Sequence, residues 1–196
     1  MRNLALAAVA LAASVPVAPA FAQDTTGFTG FRLEALAGYD RLKGSGGGGS
    51  RDGIAYGAAA GYDFQVGNAV LGIEGEYLDS DTRGRENNFL VPGDTISANA
   101  QRDLYVGGRL GFTAGPNTLL YAKAGYTNAR IGVNYVNPTT PAANFRVTDE
   151  LDGVRIGAGA EQKLGTNLYA KAEYRYSNYE AGIERHQVLG GLGFRF

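Results

Sequence analysis

The single histidine, His186, is the first residue to weigh, because a histidine beside a serine hydroxyl is the usual pair for cleaving or transferring an acyl group. Two positions along the chain stands Val188 rather than a hydroxyl residue, which leaves Ser177 and Ser80 as more distant partners. The alternative is a histidine that meets only water or neighbouring polar groups. We favour this alternative and expect no catalytic residue.

Residues that could hold a metal or a cofactor are equally scarce. The chain has no cysteine, which excludes disulfides, thiol catalysis and cysteine-ligated zinc. Residues 79–84 begin like a calcium-binding loop, but Arg83 takes a ligand position and no glutamate ends the loop. Residues 44–49 match the letters of a dinucleotide-binding turn without its strand-to-helix context. We therefore expect no metal and no cofactor.

Charged residues spaced two apart are the remaining candidates. In residues 168–177, Lys171, Glu173 and Arg175 share one parity, whereas Ala170 and Ala172 take the other. Side chains alternate between the faces of a strand, so this spacing predicts strands with one charged and one apolar face. The pattern recurs along the chain and predicts one internal network of paired charges. Its predicted members are Arg32, Glu34, Glu74, Glu76, Arg109, Lys123, Arg155, Glu161, Lys171, Glu173, Arg175 and Arg195.

Eight alternating segments must position these charges. The predicted strands are residues 31–39, 54–64, 70–79, 102–112, 119–129, 151–162, 168–177 and 186–196. Long polar connections at 41–52, 80–101 and 130–147 alternate with short turns, and residues 178–184 form a modest final link. The start of the third long connection can also extend the strand before it. Such alternation is typical of transmembrane barrels, with short turns in the periplasm. The pattern predicts an all-β fold, an eight-stranded antiparallel up-and-down transmembrane β-barrel.

A soluble antiparallel sandwich also alternates, but two features favour the barrel. Each Arg or Lys facing lipid at mid-membrane would cost roughly 2–4 kcal/mol, and the shared parity of the charges avoids this cost. Aromatic residues also lie near the predicted strand ends, like the two interfacial girdles of such barrels. They are Tyr39, Phe64, Tyr77, Phe112, Tyr126, Tyr176 and Phe196. At the rim of a barrel, His186 would meet headgroups or water.

The first 22 residues predict an export signal. A short basic start precedes an apolar run, and Ala20 and Ala22 form an Ala-x-Ala cleavage site. The run is too short for a spanning anchor. We therefore divide the chain into a signal peptide, residues 1–22, and a barrel domain, residues 23–196. The net charge of −1 argues against nucleic-acid binding, which usually shows a basic patch.

Several short motifs carry a family resemblance. They are Gly38-Tyr39-Asp40, Gly61-Tyr62-Asp63, Ala124-Gly125-Tyr126, Glu173-Tyr174-Arg175-Tyr176 and a final Gly-x-Gly-Phe-x-Phe. Together with the strand pattern, they resemble the opacity-type and small porin-like outer-membrane barrels of Gram-negative bacteria, and the chain is similar to the transmembrane domain of outer membrane protein A. The resemblance implies that Phe194 and Phe196 belong to a sorting signal read by the assembly machinery. The family has no catalytic residues to carry over.

The resemblance also implies the partners: outer-membrane lipid and lipopolysaccharide, periplasmic chaperones, the barrel-assembly machinery and an extracellular ligand bound through the loops. We predict an outer-membrane protein with a structural and surface-presenting, adhesin-like role. A narrow porin-like channel for ions or small solutes is the alternative. A lipid-modifying enzyme using His186 is a weaker one. The charged residues of the interior predict an ionic plug that blocks a wide pore.

Overall fold

A closed ring of antiparallel strands makes up the fold. The computed structural model describes residues 27–44, 50–81, 83–87, 91, 93–140 and 144–196. The strands are β1 (Gly30–Lys43), β2 (Ser50–Val66), β3 (Ala69–Ser80), β4 (Arg83–Asn87), β5 (Thr95–Thr113), β6 (Thr118–Val136), β7 (Phe145–Lys163), β8 (Leu168–Tyr179) and β9 (Ile183–Arg195). The last strand, β9, pairs with β1, and β3 pairs with β5, so the sheet closes. Because β4 continues the line of β3 along β5, the predicted eight-stranded barrel is confirmed.

The strand registers determine the shape of the barrel. Cα partners followed once around the sheet from Asp40 on β1, through Arg175 and Arg109, return to β1 at Gly30, ten residues lower. This stagger requires strands that are tilted from the barrel axis, typically by about 35–45°. An eight-stranded barrel of this kind has an interior just wide enough for side chains to fill.

The barrel has an apolar outside and a polar inside. Ile73, Val106 and Val154 are among the most exposed side chains, as expected for a wall that contacts lipid. Aromatic side chains point outward near both ends, and the two ends differ in their main residue type. The end with the long connections carries Tyr39, Tyr56, Tyr77, Tyr126, Tyr174 and Tyr176, and the end with the short turns carries Phe31, Phe64, Phe112, Phe194 and Phe196 together with Tyr62. No helix in the described ranges is long and apolar enough to span a membrane.

Two of the connections predicted as long are largely strand. This corrects the expectation for residues 80–101, and in 130–147 strand β6 continues from the start of the segment to Val136, a continuation that the sequence left open. β4 pairs with the first residues of β5, after a register shift between Ala100 and Asp103. The β6 and β7 strands stay paired as far as Tyr135 and Phe145, whose rings stack with centroids 5.3 Å apart. We call residues 83–87, 95–100, 130–136 and 145–152 the extension, because they stand beyond the point where β7 stops pairing with β8 at Gly153.

The short turns have the expected lengths, whereas the connections predicted at 41–52 and 178–184 are shorter than expected, because β1 and β2 stay paired as far as Lys43 and Ser50 and β9 begins at Ile183. Short turns join β2 to β3, β5 to β6 and β7 to β8. In the first two turns, Gly67 and Gly115 adopt left-handed backbone conformations with φ angles of 59° and 93°. A single 3₁₀ turn at Glu180–Gly182 joins β8 to β9. The predicted signal peptide, with Ala20 and Ala22, lies outside the described residues, as do residues 45–49 of the glycine-rich loop.

Candidate functional site

The lumen holds a dense network of charges. All twelve predicted residues are buried there, together with four that the sequence analysis did not include: Asp40, Asp63, Asp103 and Arg185. Eight of these residues are acidic and eight are basic. The acids are Glu34, Asp40, Asp63, Glu74, Glu76, Asp103, Glu161 and Glu173, and the bases are Arg32, Arg109, Lys123, Arg155, Lys171, Arg175, Arg185 and Arg195. We call these sixteen residues the lumen network.

The layer nearest the short turns is built around Asp63. Arg109 donates from Nε to Asp63 Oδ1 over 2.8 Å, and its second terminal nitrogen lies 3.2 Å from Glu161. Arg195 donates to the same aspartate over 2.7 Å and also pairs with Glu161. Phe28 covers this layer from below, since it is buried and its ring centroid lies 4.3 Å from Lys163 Nζ. Residues 27–29, immediately before β1, therefore form the floor of the barrel.

Two lysines hold the middle layer together. Lys123 Nζ lies 2.8 Å from Glu74, 2.6 Å from Glu76 and 2.8 Å from Glu173. Lys171 Nζ lies 2.8 Å from Glu34 and 3.2 Å from Glu173. Each lysine thus shares its charge among carboxylates from different strands. Such ties cross the lumen rather than run along its wall.

The layer nearest the extension centres on two aspartates. Arg185 lies 2.7 Å from Asp40 and 2.8 Å from Asp103, and Arg155 also pairs with Asp103. Arg155 links this layer to the middle one, because its Nη1 lies 3.5 Å from Glu76. Ionic contacts therefore continue through the lumen from the floor to the upper rim.

Buried tyrosines are a second component that the sequence analysis missed. Tyr121 donates to Glu173 over 2.6 Å, and Tyr169 donates to Glu34 over 2.7 Å. Lys123 Nζ also lies 4.7 Å from the ring centroid of Tyr105, within the range of a cation–π contact. The signal was present in the sequence, because these tyrosines share the parity of the charges.

The lumen network leaves little room inside the barrel. Some buried polar atoms have no hydrogen-bond partner among the described residues. Gln187 is fully buried, and both polar atoms of its amide have no hydrogen-bond partner among the described residues. Buried polar groups of this kind are usually satisfied by ordered water. No group of three or more His, Cys, Asp or Glu side chains in the described part of the chain could hold a metal ion. The arrangement can exclude solutes and stiffen the wall.

The structure separates His186 from both candidate serines. His186 points out of the barrel, where Tyr174 Oη lies 2.8 Å from its Nδ1 and the Tyr176 ring centroid lies 5.1 Å away. Ser177 points inward and accepts a hydrogen bond from Arg155 over 2.8 Å, and Ser80 donates to Asp40 inside the barrel over 2.6 Å. The pairing of His186 with either serine is therefore wrong, because the barrel wall stands between them.

The aromatic residues at the end of the chain lie on the outer surface. Phe194 and Phe196 are exposed, with ring centroids 5.0 Å apart, and Phe196 also contacts Phe31, 6.0 Å away. The Phe196 amide donates to the Phe31 carbonyl over 2.8 Å. Phe196 thus continues the pairing of β9 with β1, which closes the barrel.

The extension and the adjoining Arg102 carry a charge cluster beyond the membrane-spanning part. Arg130 and Arg102 both donate to Oε1 of Glu150, over 2.6 Å and 2.7 Å. The hydrogen bond from Arg130 has the largest effect and that from Arg102 the next, and together they lower the pKa of Glu150. The cluster ties β5, β6 and β7 together above the rim. Tyr135 adds a buried hydrogen bond, which its hydroxyl donates to Asp94 over 2.9 Å.

Comparison with protein families and curated proteins gives consistent matches. The sequence model of the family described as "Outer membrane protein beta-barrel domain" matches residues 5–196. A 25 kDa outer-membrane immunogenic protein of Brucella ovis is 30% identical over 141 residues, which cover 71% of this chain and 62% of that protein. A 22 kDa outer membrane protein of Rhizobium leguminosarum bv. viciae is 27% identical over 153 residues, 69% of this chain and 63% of that protein. The chain spans less than two thirds of the length of these relatives.

Comparison with solved structures supports the fold. Neisserial surface protein A superposes with a TM-score of 0.59 at 16% identity, over 86% of this chain and 98% of that one. The attachment invasion locus protein of Yersinia pestis gives a TM-score of 0.58 at 16% identity, over 86% of this chain and 99% of that one. At this identity the likeness extends to the fold alone.

Proposed function

Because the chain belongs to the family of outer-membrane β-barrel domains, we propose that this outer-membrane protein has a structural and surface-presenting, adhesin-like role. The observation that carries the proposal is the extension, whose four strands stand above the rim and lead to exposed residues at positions 91, 93 and 138–140. A sheet tied to a barrel holds its loops in a fixed arrangement, and ligand-binding residues are disproportionately found on such scaffolded loops. An extracellular ligand would bind there.

An epitope placed on the extension tests this role. We expect a tag inserted between β6 and β7 to be labelled by antibody on intact cells. The matched control is the same tag inserted in the turn at Gly115, at the opposite end of the barrel, where labelling should require permeabilised cells. Equal labelling of both tags on intact cells, or labelling of the Gly115 tag alone, would rule out the proposed display.

The lumen network supports a closed barrel over the narrow porin-like channel. An ion crossing the lumen would have to break contacts such as those of Lys123, which three carboxylates surround. We therefore expect the refolded protein to give no steady single-channel steps in planar bilayers. Regular steps with ion selectivity would instead favour the channel.

Export and assembly complete the proposal. We infer that the signal peptide is cleaved after Ala22, that chaperones and the barrel-assembly machinery receive the chain, and that lipid and lipopolysaccharide surround the mature barrel. Mass spectrometry of the outer-membrane form should find Gln23 as its first residue.

We also propose that the protein is not an enzyme. Lipopolysaccharide incubated with the wild type or with His186→Ala should keep the same acyl chains.

A further inference from the structure

Strand β7 has an open edge above the rim. Its pairing with β8 ends at Gly153 and Tyr179, whereas its pairing with β6 continues to Phe145 and Tyr135. Within the described ranges, no strand pairs with the other edge of residues 145–152, and residues 145–150 are all exposed. The unpaired amides and carbonyls of an edge strand are a template for another strand.

Charged side chains protect this edge against indiscriminate pairing, but two other common protections are missing from it. Residues 145–152 read Phe-Arg-Val-Thr-Asp-Glu-Leu-Asp, with no proline, glycine or lysine. Their register with β6 is unbroken, so no bulge twists the edge away. Natural edges are commonly blocked by proline, by bulges or by charged side chains, and this segment has the charged side chains Arg146, Asp149, Glu150 and Asp152. The segment is therefore competent to add a strand whose charges complement its own.

The hydrogen-bond pattern shows which backbone groups are available. The Lys163 amide donates to the Asn117 carbonyl at the base of the β6–β7 pair. In an antiparallel pair, alternate residues bond to the same neighbour, so the odd-numbered residues of β7 face β6. The amides and carbonyls of Arg146, Thr148, Glu150 and Asp152 consequently face the open side.

We propose that this edge pairs antiparallel with the β7 edge of a second copy, around a twofold axis through Thr148. In that register the two copies form two Arg146–Glu150 pairs and two Phe145–Leu151 pairs across the strands. Opposite charges and apolar pairs facing each other across strands are stabilising. Arg130 and Arg102 both use Oε1 of Glu150, so Oε2 can accept a bond from Arg146 of the second copy.

Neighbouring registers fit less well. An axis through Asp149 or Glu150 places an acidic residue opposite its own copy, and an axis through Arg146 opposes two arginines. An axis through Val147 avoids like charges but brings Arg146 opposite Thr148 and forms no ion pair. Like charges directly opposite each other are destabilising. The sequence of the edge therefore favours the axis through Thr148.

The direction of the strands decides where the second copy lies. Copies in one membrane insert with the same orientation, so their tilted β7 strands cannot run antiparallel. Antiparallel pairing inverts the second copy and joins two facing membranes. From Gly153 to Phe145 the edge rises about 26 Å along the strand, which at the usual tilt is about 20 Å above the rim. The occupant is thus a copy on another cell.

A single contact of this kind is weak. One strand edge buries less than the roughly 1,200 Å² of a stable protein–protein interface. Many copies on two facing membranes act together, and such multivalency multiplies the effective affinity without new contacts. The inference rests on the proposed surface-presenting role, since the edge must reach beyond its own membrane.

Vesicle clustering tests the pairing. The full chain is refolded into phospholipid vesicles, and light scattering follows their aggregation. Wild-type vesicles should cluster. R146E vesicles should not, because every contact then opposes two acidic side chains, and E150R vesicles should fail through opposed basic ones. A mixture of R146E and E150R vesicles should cluster again, since each contact between the two populations pairs opposite charges.

A backbone variant provides an independent check. Thr148→Pro removes an amide on the open side and leaves the bonds to β6 in place, so it should abolish clustering. Heat-modifiable migration in gels verifies that every variant is folded. The proposal is overturned when wild-type vesicles stay dispersed, when folded R146E clusters like wild type, or when the mixture stays dispersed. Failure here leaves antibody labelling of the extension unaffected, so it is distinguishable from failure of the proposed surface role.

Discussion

Single arginines in the lumen each serve two carboxylates. Arg109 bonds Asp63 and Glu161, and Arg185 bonds Asp40 and Asp103. Burying two charges is costly, and their attraction offsets that cost only when both partners are present. Loss of one arginine therefore leaves two buried acidic side chains with fewer positive partners. The stability of the barrel depends more on completeness of the network than on any one pair.

Arg109→Ala should accordingly lower the free energy of unfolding by about 3–5 kcal/mol, the usual cost of breaking a fully buried pair, or less where water enters the lumen. Arg41→Ala is the matched control, because Arg41 pairs with Asp52 over 3.4 Å on the surface, where a pair contributes about 0–1 kcal/mol. Urea unfolding of the two variants in detergent or bilayers measures the difference. Equal midpoints would show that the lumen network is not a stabilising plug.

The residues of the lumen were partly predictable from sequence. Parity alone assigned twelve buried charges, because placing them in lipid would be costly. Asp40 and Arg185 were missed because each lies just beyond a predicted strand end, and Asp63 and Asp103 because they lie near strand ends, where a charge can reach water. The contacts themselves depend on the stagger of the closed sheet, which a single strand does not reveal.

Among the strands, β5 offers a direct test of how side-chain volume is distributed. Gly107 faces the lumen, and a β-carbon there would overlap the Tyr105 hydroxyl and lie 2.5 Å from the Ala124 carbonyl. Its neighbour Gly108 faces outward, and a β-carbon there would meet nothing closer than the Gly72 carbonyl at 3.7 Å. The structure gives no reason for glycine at position 108.

Gly107→Ala should therefore reduce the yield of folded barrel or its unfolding midpoint, because the overlapping groups belong to backbone and to a packed tyrosine. Gly108→Ala should leave both unchanged, and it differs from the first variant by one position on the same strand. Heat-modifiable migration and urea titration measure the two effects. Similar losses in both variants would mean that the inward glycine is not required for space.

The closing strand gives a prediction about assembly. Phe196 is the last residue of the chain and pairs with Phe31 through backbone and ring contacts. Deleting Phe196 should lower the amount of folded protein in the outer membrane, because the terminal aromatic is the expected sorting signal. Phe112→Leu, in the same girdle on another strand, is the control. Unchanged outer-membrane levels after the deletion would contradict this role.

The extension was the least predictable element. Pro138 and Pro141 and the polar composition suggested irregular loops, whereas the period-two run Ile131, Val133 and Tyr135 continues the inward face of β6. Outside the membrane neither face must be apolar, so the alternation that identifies a spanning strand weakens. The stacking of Tyr135 on Phe145 stabilises the pairing instead, and that contact joins residues on two different strands.

For the molecule as a whole, closure and charge balance go together. The stagger of ten residues brings eight acids and eight bases into one lumen of net zero charge. A neutral interior can be buried without an excess charge that would attract ions from water. Strand count, stagger and the placement of charge were therefore mutually constrained, which is why the class of fold followed from alternation even where individual boundaries did not.

The two aromatic girdles also define a hydrophobic height. From Phe31 to Tyr39, both exposed on β1, the strand rises about 26 Å, which corresponds to about 20 Å across the membrane at the usual tilt. A typical bilayer core is about 30 Å thick, and each ångström of mismatch costs a fraction of a kcal/mol. The folded fraction should thus be greatest in vesicles of short-chain lipids and fall as the chains lengthen. A yield independent of chain length would show that the girdles do not set the depth of insertion. Since the bacterial outer membrane is thinner than average, the spacing of the girdles would by itself favour that membrane over a thicker one.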